Sequence, residues 1–278
     1  MNKKTTRPKP GDLLYKNLFV KRDRTAALEL VSEGLQAFTQ NASSLLQEAK
    51  ILVDNKKFAR ARFLVATADE EMAKSYIMLD ACRLDFASKK SCLKRLCRAF
   101  YSHVEKHAYN EVIRHGSVLH DMTQVRQLFH DELVHWWPGE VESGEPDMPH
   151  DTYFARELPL YVDFIDYDQS WVVPSDRLSA MYFQHKLGHS VLSESRKALD
   201  RILYTLNEGL YKPEVLNILN GVLCKYYINE STSLSQLSSL YEMIAQKIQN
   251  NFGIYKSKFD NSALKEWPLY HFLQIEPR

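Results

Sequence analysis

Hydrophobic residues recur every three to four positions along most of this chain. The spacing is continuous from Thr25 to Asn55, and it is the period of an α-helix with one buried face. Similar patterns, rich in alanine, leucine and methionine, run from about Lys57 to Asp85 and from Ser88 to a turn at His115 and Gly116. Since long helices joined by short loops pack as antiparallel neighbours, this part of the chain predicts a helical bundle.

The pattern changes after Gly116. A further amphipathic helix is predicted from Asp121 to Trp137, where a proline and a glycine end it. Two short β-like runs, 160–165 and 171–173, predict a small hairpin within an irregular segment. Helical periodicity then returns and predicts helices at Ser175–Asn207, Glu214–Ile228, Ser233–Phe252 and Asn261–Trp267.

These patterns predict a mainly α fold with four regions. A basic tail, taken as disordered until about Gly11, covers residues 1–20, and a helical core covers 21–137. An acidic strap with short β segments covers 138–178. A C-terminal helical region, expected to pack on the core, covers 179–278.

Composition and cysteine usage narrow the class of protein. The chain is 45% hydrophobic and 26% charged, as in ordinary globular proteins. No apolar run approaches the roughly 18 residues of a membrane span, and no signal peptide precedes the four cysteines, which lack CxxC spacing. We therefore expect a cytoplasmic protein with free thiols, no membrane contact and no cysteine zinc site.

Charge is segregated along the chain although the formal net charge is only +1. Residues 89–115 carry seven Lys or Arg against two Glu, whereas residues 139–170 carry nine Asp or Glu against one Arg. A basic helix of this kind either attracts phosphates or pairs with an acidic segment of the same chain, and the sequence leaves both open.

A carboxylate interrupts an apolar face of the second predicted helix. Glu70 shares helical spacing with Ala59, Phe63, Ala66, Ala73 and Ile77. A charge there is costly unless it is paired. Two partners are open: Lys74, four residues on, or the third helix, where Glu70 would orient Arg98 or His103.

The third predicted helix gathers basic side chains. His103, Lys106 and His107 share one face. Arg98 precedes His103 by five residues, or roughly 140° of rotation on an ideal helix, so a bend, its long side chain or a second subunit must bring the two together. A neutral His103 would then take the proton of a ribose 2′-hydroxyl while Arg98 and Lys106 hold the phosphate. This transesterification needs no metal and leaves a 2′,3′-cyclic phosphate.

Other chemistry is less favoured. His185 and His189 have the one-turn spacing of a zinc pair but lack the glutamate of an HExxH motif, so a core or solvated pair is the simpler interpretation. No P-loop, dinucleotide-binding glycines, nucleophile elbow or helix-turn-helix is present, which argues against cofactors and against reading of DNA sequence.

Three segments together resemble the AbiV-type abortive infection proteins, a branch of the HEPN superfamily, over roughly residues 35–178. They are Ala59-Arg60-Ala61 with Glu70-Glu71 and Lys74, then Arg98 with His103 and Lys106, then the run 160–164 with 171–174. The resemblance implies a helical bundle, commonly dimeric, that acts in bacterial anti-phage defence. It also implies a metal-independent ribonuclease whose R-x4–6-H motif is Arg98 and His103. The chain departs from many catalytic members at Ala99, where a polar residue is usual.

The first hypothesis is therefore a homodimeric ribonuclease of the bacterial cytoplasm that responds to a phage-encoded activator. In it His103 is the general base, Arg98 and Lys106 stabilise the phosphate, and Glu70 and Glu71 orient them. Lys94, Arg95 and His107 are its predicted RNA-binding residues, and the acidic strap is a reversible guard over the basic helix. The alternative is a non-catalytic HEPN scaffold that binds a phage protein or the translation apparatus.

Overall fold

A computed structural model describes residues 8–115, 122–134, 160, 163–165, 170–173, 192–226 and 234–252. Its α-helices are α1 Pro10–Tyr15, α2 Arg24–Asp54, α3 Phe58–Ala81, α4 Lys90–Ala99, α5 His103–His115, α6 Met122–Val134, α7 Leu192–Asn207, α8 Pro213–Leu223 and α9 Leu234–Phe252. A π-helical segment, Lys16–Val20, follows α1, and two strands, β1 Asp163–Ile165 and β2 Ser170–Val172, precede α7. The predicted mainly α fold is confirmed.

Helices α2 and α3 form the centre of the bundle. Asp23 begins α2 as its N-cap and accepts a hydrogen bond from the amide of Ala26 at 2.9 Å. Three residues join the two helices, which pack along their length as antiparallel neighbours. The two helices supply six of the largest fully buried side chains of the core, Leu28, Leu35, Leu46, Met72, Ile77 and Leu79.

The third predicted helix is two helices. The prediction of one continuous helix from Ser88 to His115 is wrong at residues 100–102, where α4 ends and α5 begins. Phe100 turns into the core and packs on Phe38, with ring centroids 5.4 Å apart. Ser102 then caps α5, since its hydroxyl accepts from the amide of Glu105 at 3.3 Å.

The N-terminal helix α1 packs directly on α4. Gly11 is buried in this contact, and a Cβ at that position would lie 2.6 Å from the carbonyl oxygen of Cys97 and from Cα of Arg98. Only glycine lets the two backbones approach so closely. Residues 10–20 are thus helical and packed, although the sequence pattern predicts them to lie in the basic tail 1–20.

The C-terminal helices continue the same core. Helix α7 packs on α2 and α3, α8 packs on α2, and α9 packs on α8. Asn220, buried on α8, donates to the carbonyl oxygens of Cys82 at 2.7 Å and Leu84 at 2.9 Å. These bonds satisfy carbonyls at the end of α3 and attach α8 to it.

The predicted hairpin is present. Strands β1 and β2 pair antiparallel, with Phe164 opposite Trp171. Several predicted features lie outside the described residues: most of the acidic strap, residues 175–191 of the helix predicted at Ser175–Asn207, the helix predicted at Asn261–Trp267, and both His185 and His189.

Candidate active site between α3, α4 and α5

Glu70, His103 and Lys106 meet between α3 and α5. One carboxylate oxygen of Glu70 lies 2.8 Å from Nδ1 of His103, and the other accepts from Nζ of Lys106 at 2.6 Å. The side chain of His103 is 45% exposed, while those of Glu70 and Lys106 are 17% and 5% exposed. The imidazole is therefore the part of this cluster that faces solvent.

The alternative pairing of Glu70 with Lys74 is wrong. Lys74 donates to Glu71 at 2.5 Å, and its ammonium also lies over the rings of Phe38 and Phe100, 5.9 and 5.5 Å from their centroids. Glu71, predicted to orient the catalytic groups, instead fixes Lys74 against these two aromatic residues.

Electrostatics keeps Glu70 ionised. Burial acts to raise the pKa of its carboxyl, but the hydrogen bond and charge of Lys106, followed by those of His103, outweigh it and hold the pKa below its ordinary value. A carboxylate on Nδ1 orients the ring and favours the tautomer with a proton on Nδ1. That tautomer carries its lone pair on Nε2, as a general base requires.

Arg98 contacts a residue that the sequence pattern did not predict. Its guanidinium forks on Asp12 of α1, with Nε 2.8 Å and NH2 3.3 Å from the two carboxylate oxygens. Lys94 lies 3.8 Å from the same carboxylate. The hydrogen bond from Arg98 holds the pKa of Asp12 below its ordinary value, and that bond in turn raises the pKa of Arg98.

The three predicted RNA-binding residues occupy different environments. Lys94 stays 43% exposed beside Asp12. His107 faces α6, where its Nε2 lies 3.2 Å from a carboxylate oxygen of Glu132. Arg95 is partly buried near Glu105, whose pKa is raised by burial and lowered to a lesser extent by the arginine. Of the three, Lys94 is the residue whose ammonium lies near the Asp12 carboxylate that Arg98 also contacts.

Two further polar clusters join α3 to its neighbours. Arg114 binds Asp69 at 2.6 Å, and burial raises the pKa of that carboxyl. Deeper in the core, Asp80 contacts Arg83 at 3.2 Å and accepts from the Tyr109 hydroxyl at 3.1 Å. Burial raises the pKa of Asp80 to about 7. Both clusters hold α3 and α5 in the register that brings Glu70 to His103.

Within the described residues, no group of three or more His, Cys, Asp or Glu side chains is arranged to hold a metal ion. Among the same residues, no helix has the length and low polarity needed to cross a membrane.

Comparison with known families identifies the fold. A family model described as AbiV, within the HEPN class, matches residues 30–190, more than half of the chain. The match includes Glu70, Arg98, His103 and Lys106 but begins after Asp12. No curated protein and no solved structure matches the chain. The chain belongs to the AbiV family of HEPN proteins.

Proposed function

We propose that this protein is an abortive-infection effector that cleaves RNA without a metal ion. The observation that carries the proposal is the double contact of Glu70, with His103 Nδ1 at 2.8 Å and Lys106 Nζ at 2.6 Å. A carboxylate held by a buried ammonium and directed at a half-exposed imidazole is the arrangement that makes histidine an effective base.

The reaction follows from that arrangement. His103 Nε2 takes the proton of a ribose 2′-hydroxyl, and the 2′-oxygen attacks the adjacent phosphorus. The bond to the 5′-oxygen breaks, that oxygen takes up a proton from solvent water and leaves as a hydroxyl, and the protonated His103 then returns its proton to solvent. The products are a 2′,3′-cyclic phosphate and a 5′-hydroxyl end. Arg98 stabilises the charge that develops on the phosphate oxygens.

Lys106 has a different role in this scheme from the one expected of it. Its side chain is 5% exposed and donates to Glu70. In that place it keeps Glu70 ionised and positioned, and phosphate contact falls to Arg98, whose side chain is 50% exposed.

The cellular setting is part of the proposal. AbiV membership supports a bacterial defence role in the cytoplasm, with RNA cleavage halting translation after a phage-encoded activator is sensed. A homodimer is part of the proposal because HEPN domains commonly dimerise, and AbiV membership is what supports it.

A non-catalytic scaffold is the second candidate. Ala99 is buried in the core, so the position after the arginine supplies no polar group, and Asp12 occupies the Arg98 guanidinium. Such a scaffold would bind a phage protein or the translation apparatus through the exposed basic side chains of α4, Lys94 and Arg98.

The two functions separate in a cleavage assay. Purified protein is incubated with total RNA in EDTA, and 2′,3′-cyclic ends are quantified for wild type, His103→Ala and His130→Ala. His130 is exposed on α6 and serves as the matched control. Loss of a general base costs about 10²–10⁴-fold in rate, so His103→Ala should be inactive by that measure and His130→Ala unchanged. Equal cleavage by His103→Ala, or none by wild type with phage lysate as activator, excludes the nuclease.

A further inference from the structure

A cleft with positive walls opens where the N-terminal end of α4 meets the π-helical segment and α8. It encloses about 450 Å³, and Arg22, Arg24 and Lys90 contribute to its lining together with Asp85. The rings of Tyr15, Phe19 and Phe86 also line it, and the last two contact each other edge to face. Its volume lies within the range of small-molecule and nucleotide pockets.

The positive charge of this cleft is only partly neutralised by its own walls, because Arg22, Arg24 and Lys90 face one acid, Asp85, among the described lining residues. Arg22 and Lys90 are exposed, and neither has an ion-pair partner within the part of the chain that the structure describes. Arg24 donates to a backbone carbonyl, that of Asn217, at 2.9 Å. Asp85 accepts hydrogen bonds from Ser88 and from the amide of Ala87, and the nearby charge of Arg24 also helps to lower the pKa of its carboxyl. The cleft is therefore an attractive site for an anion.

A row of cations runs from the cleft to the candidate active site. Lys90, Lys94 and Arg98 are spaced four residues apart on α4, so they share one face and span about 12 Å. The side chains of Lys94 and Arg98 remain about half exposed although α1 packs beside them. Arg98 lies in the last turn of α4, and His103 begins α5 after three residues.

We propose that this row and the cleft bind single-stranded RNA. Phosphates lie along Lys90, Lys94 and Arg98, and one base enters the cleft beside Phe86 with its phosphate on Arg22 and Arg24. Single-stranded RNA fits because a charged track and an aromatic surface are the two elements that bind its phosphates and its bases. The proposal rests on the proposed function for its substrate, and it adds Arg22, Arg24 and Lys90 to the binding site.

Asp12 competes with the RNA in this arrangement. Its two carboxylate oxygens fork on Arg98 as two phosphate oxygens would, and Lys94 lies 3.8 Å away. An RNA phosphate at Arg98 must therefore displace Asp12 or share the arginine with it. Removal of the Asp12 charge should strengthen binding.

The test measures binding without cleavage. A fluorescein-labelled ten-nucleotide single-stranded RNA is titrated with full-length His103→Ala protein in EDTA, and anisotropy is followed over a range of salt concentrations. Adding Arg22→Gln or Lys90→Gln should weaken binding about 3- to 10-fold and reduce the salt slope by about one each. Asp12→Asn should strengthen it about 2- to 5-fold, since a competing charge is removed. Lys197→Gln, at an exposed position on α7, should change neither quantity.

A second variant tests the cleft itself. Ala87 is exposed and lines the cleft, so Ala87→Trp fills it without entering the core. We expect weaker RNA binding with an unchanged thermal midpoint. The proposal is overturned if Arg22→Gln and Lys90→Gln bind RNA with the same affinity and salt slope as Lys197→Gln. AMP binding is measured for the same two variants. The proposal is also overturned if Arg22→Gln and Lys90→Gln no longer bind AMP but still bind RNA as tightly as before, because the cleft is then a site for a free nucleotide. An inactive wild type with intact binding to this track rejects the nuclease alone.

Discussion

Glu70 lowers the energetic cost of a half-buried charge cluster, because its carboxylate contacts both Lys106 and His103. Burying an ion pair is costly, and removing one partner leaves the other charge unpaired in a poor solvent. Lys106 is 5% exposed, so its ammonium relies on the Glu70 carboxylate at 2.6 Å. The same carboxylate orients His103, which links the stability of the α3–α5 contact to the chemistry proposed for the imidazole.

Replacing Glu70 by glutamine should destabilise the protein in a pH-dependent way. The folded-state pKa of Glu70 is lowered, so its charge contributes stability above the unfolded value of 4.5, and this contribution is lost as the pH falls through the folded-state value. We expect Glu70→Gln to lower the free energy of unfolding by about 1–3 kcal/mol at neutral pH and by less in acid. Urea unfolding at about pH 7 and about pH 4 measures both.

The exposed Glu48 on α2 supplies the control for this experiment, since Glu48→Gln should alter stability little at either pH. A difference between wild type and Glu70→Gln that does not change with pH would show that the carboxylate charge is not what stabilises the contact.

The sequence predicted part of this site and missed the rest for a physical reason. Glu70, His103 and Lys106 were predictable because each lies at helical spacing on a face that can meet the other helix. Asp12 was not, since 86 residues separate it from Arg98 and no local period relates the two. Arg98 was therefore assigned a phosphate without its intramolecular partner.

At the scale of elements, the break between α4 and α5 was missed by hydrophobic periodicity but is marked by a capping pattern. Hydrophobic spacing continues through Cys97 and Phe100, so periodicity alone predicts one helix. The sequence nevertheless contains the indicator of a new helix, because Ser102 and Glu105 form an S-x-x-E capping pattern. The structure uses the serine in that way, with its hydroxyl on the Glu105 amide.

The packing of α1 on α4 can be tested at Gly11. An added Cβ would meet backbone atoms of Cys97 and Arg98 at 2.6 Å, and backbone cannot move aside as a side chain can. Gly11→Ala should therefore lower the free energy of unfolding by about 1–3 kcal/mol. Chemical denaturation of the purified variant measures the loss.

Gly34 is the matched control because it lies inside α2 and an added Cβ there would meet only the side chain of Phe38, at 3.3 Å. Alanine also favours helix over glycine by about 1 kcal/mol, so Gly34→Ala should be neutral or stabilising. If Gly11→Ala lost no more than Gly34→Ala, docking of α1 would contribute little to the fold.

At the scale of the whole molecule, the C-terminal helices and the matched family core share one interior. Helix α7 packs on α2 and α3, and α8 packs on α2. Buried leucines of both parts belong to one continuous hydrophobic cluster, among them Leu35 and Leu46 on α2 and Leu199 and Leu216 on α7 and α8. Such a shared core favours cooperative unfolding of the described helices.

Asn220 offers a test of that cooperativity. Asn220→Ala leaves the carbonyls of Cys82 and Leu84 without this donor in a buried place, at a cost of about 1–3 kcal/mol. For a chain of this size the thermal midpoint should fall by about 2–4 °C per kcal/mol in a single transition. The exposed Asn217 on the same helix is the control, and Asn217→Ala should leave the midpoint within error. Two separate transitions in Asn220→Ala would mean that α8 and its neighbours unfold independently.

The fold class, the helices α2, α3, α6, α8 and α9 and the β hairpin were predictable because each follows from short-range periodicity and turn residues. The docking of α1 on α4 and of α8 on the end of α3 was not, since each depends on single contacts between distant residues, Gly11 with Cys97 and Asn220 with Cys82.

Asp12 pairs with Arg98 but lies outside the matched range 30–190. The matched range carries Arg98, His103 and Glu70, whereas an acid on a short preceding helix sets the net charge beside the arginine. If Arg98 binds an RNA phosphate as proposed, exchanging that helix alone should change the affinity and the salt sensitivity of RNA binding, with every residue of the matched range left in place. Proteins with identical R-x4-H segments are then expected to differ in the ionic strength at which they engage their target.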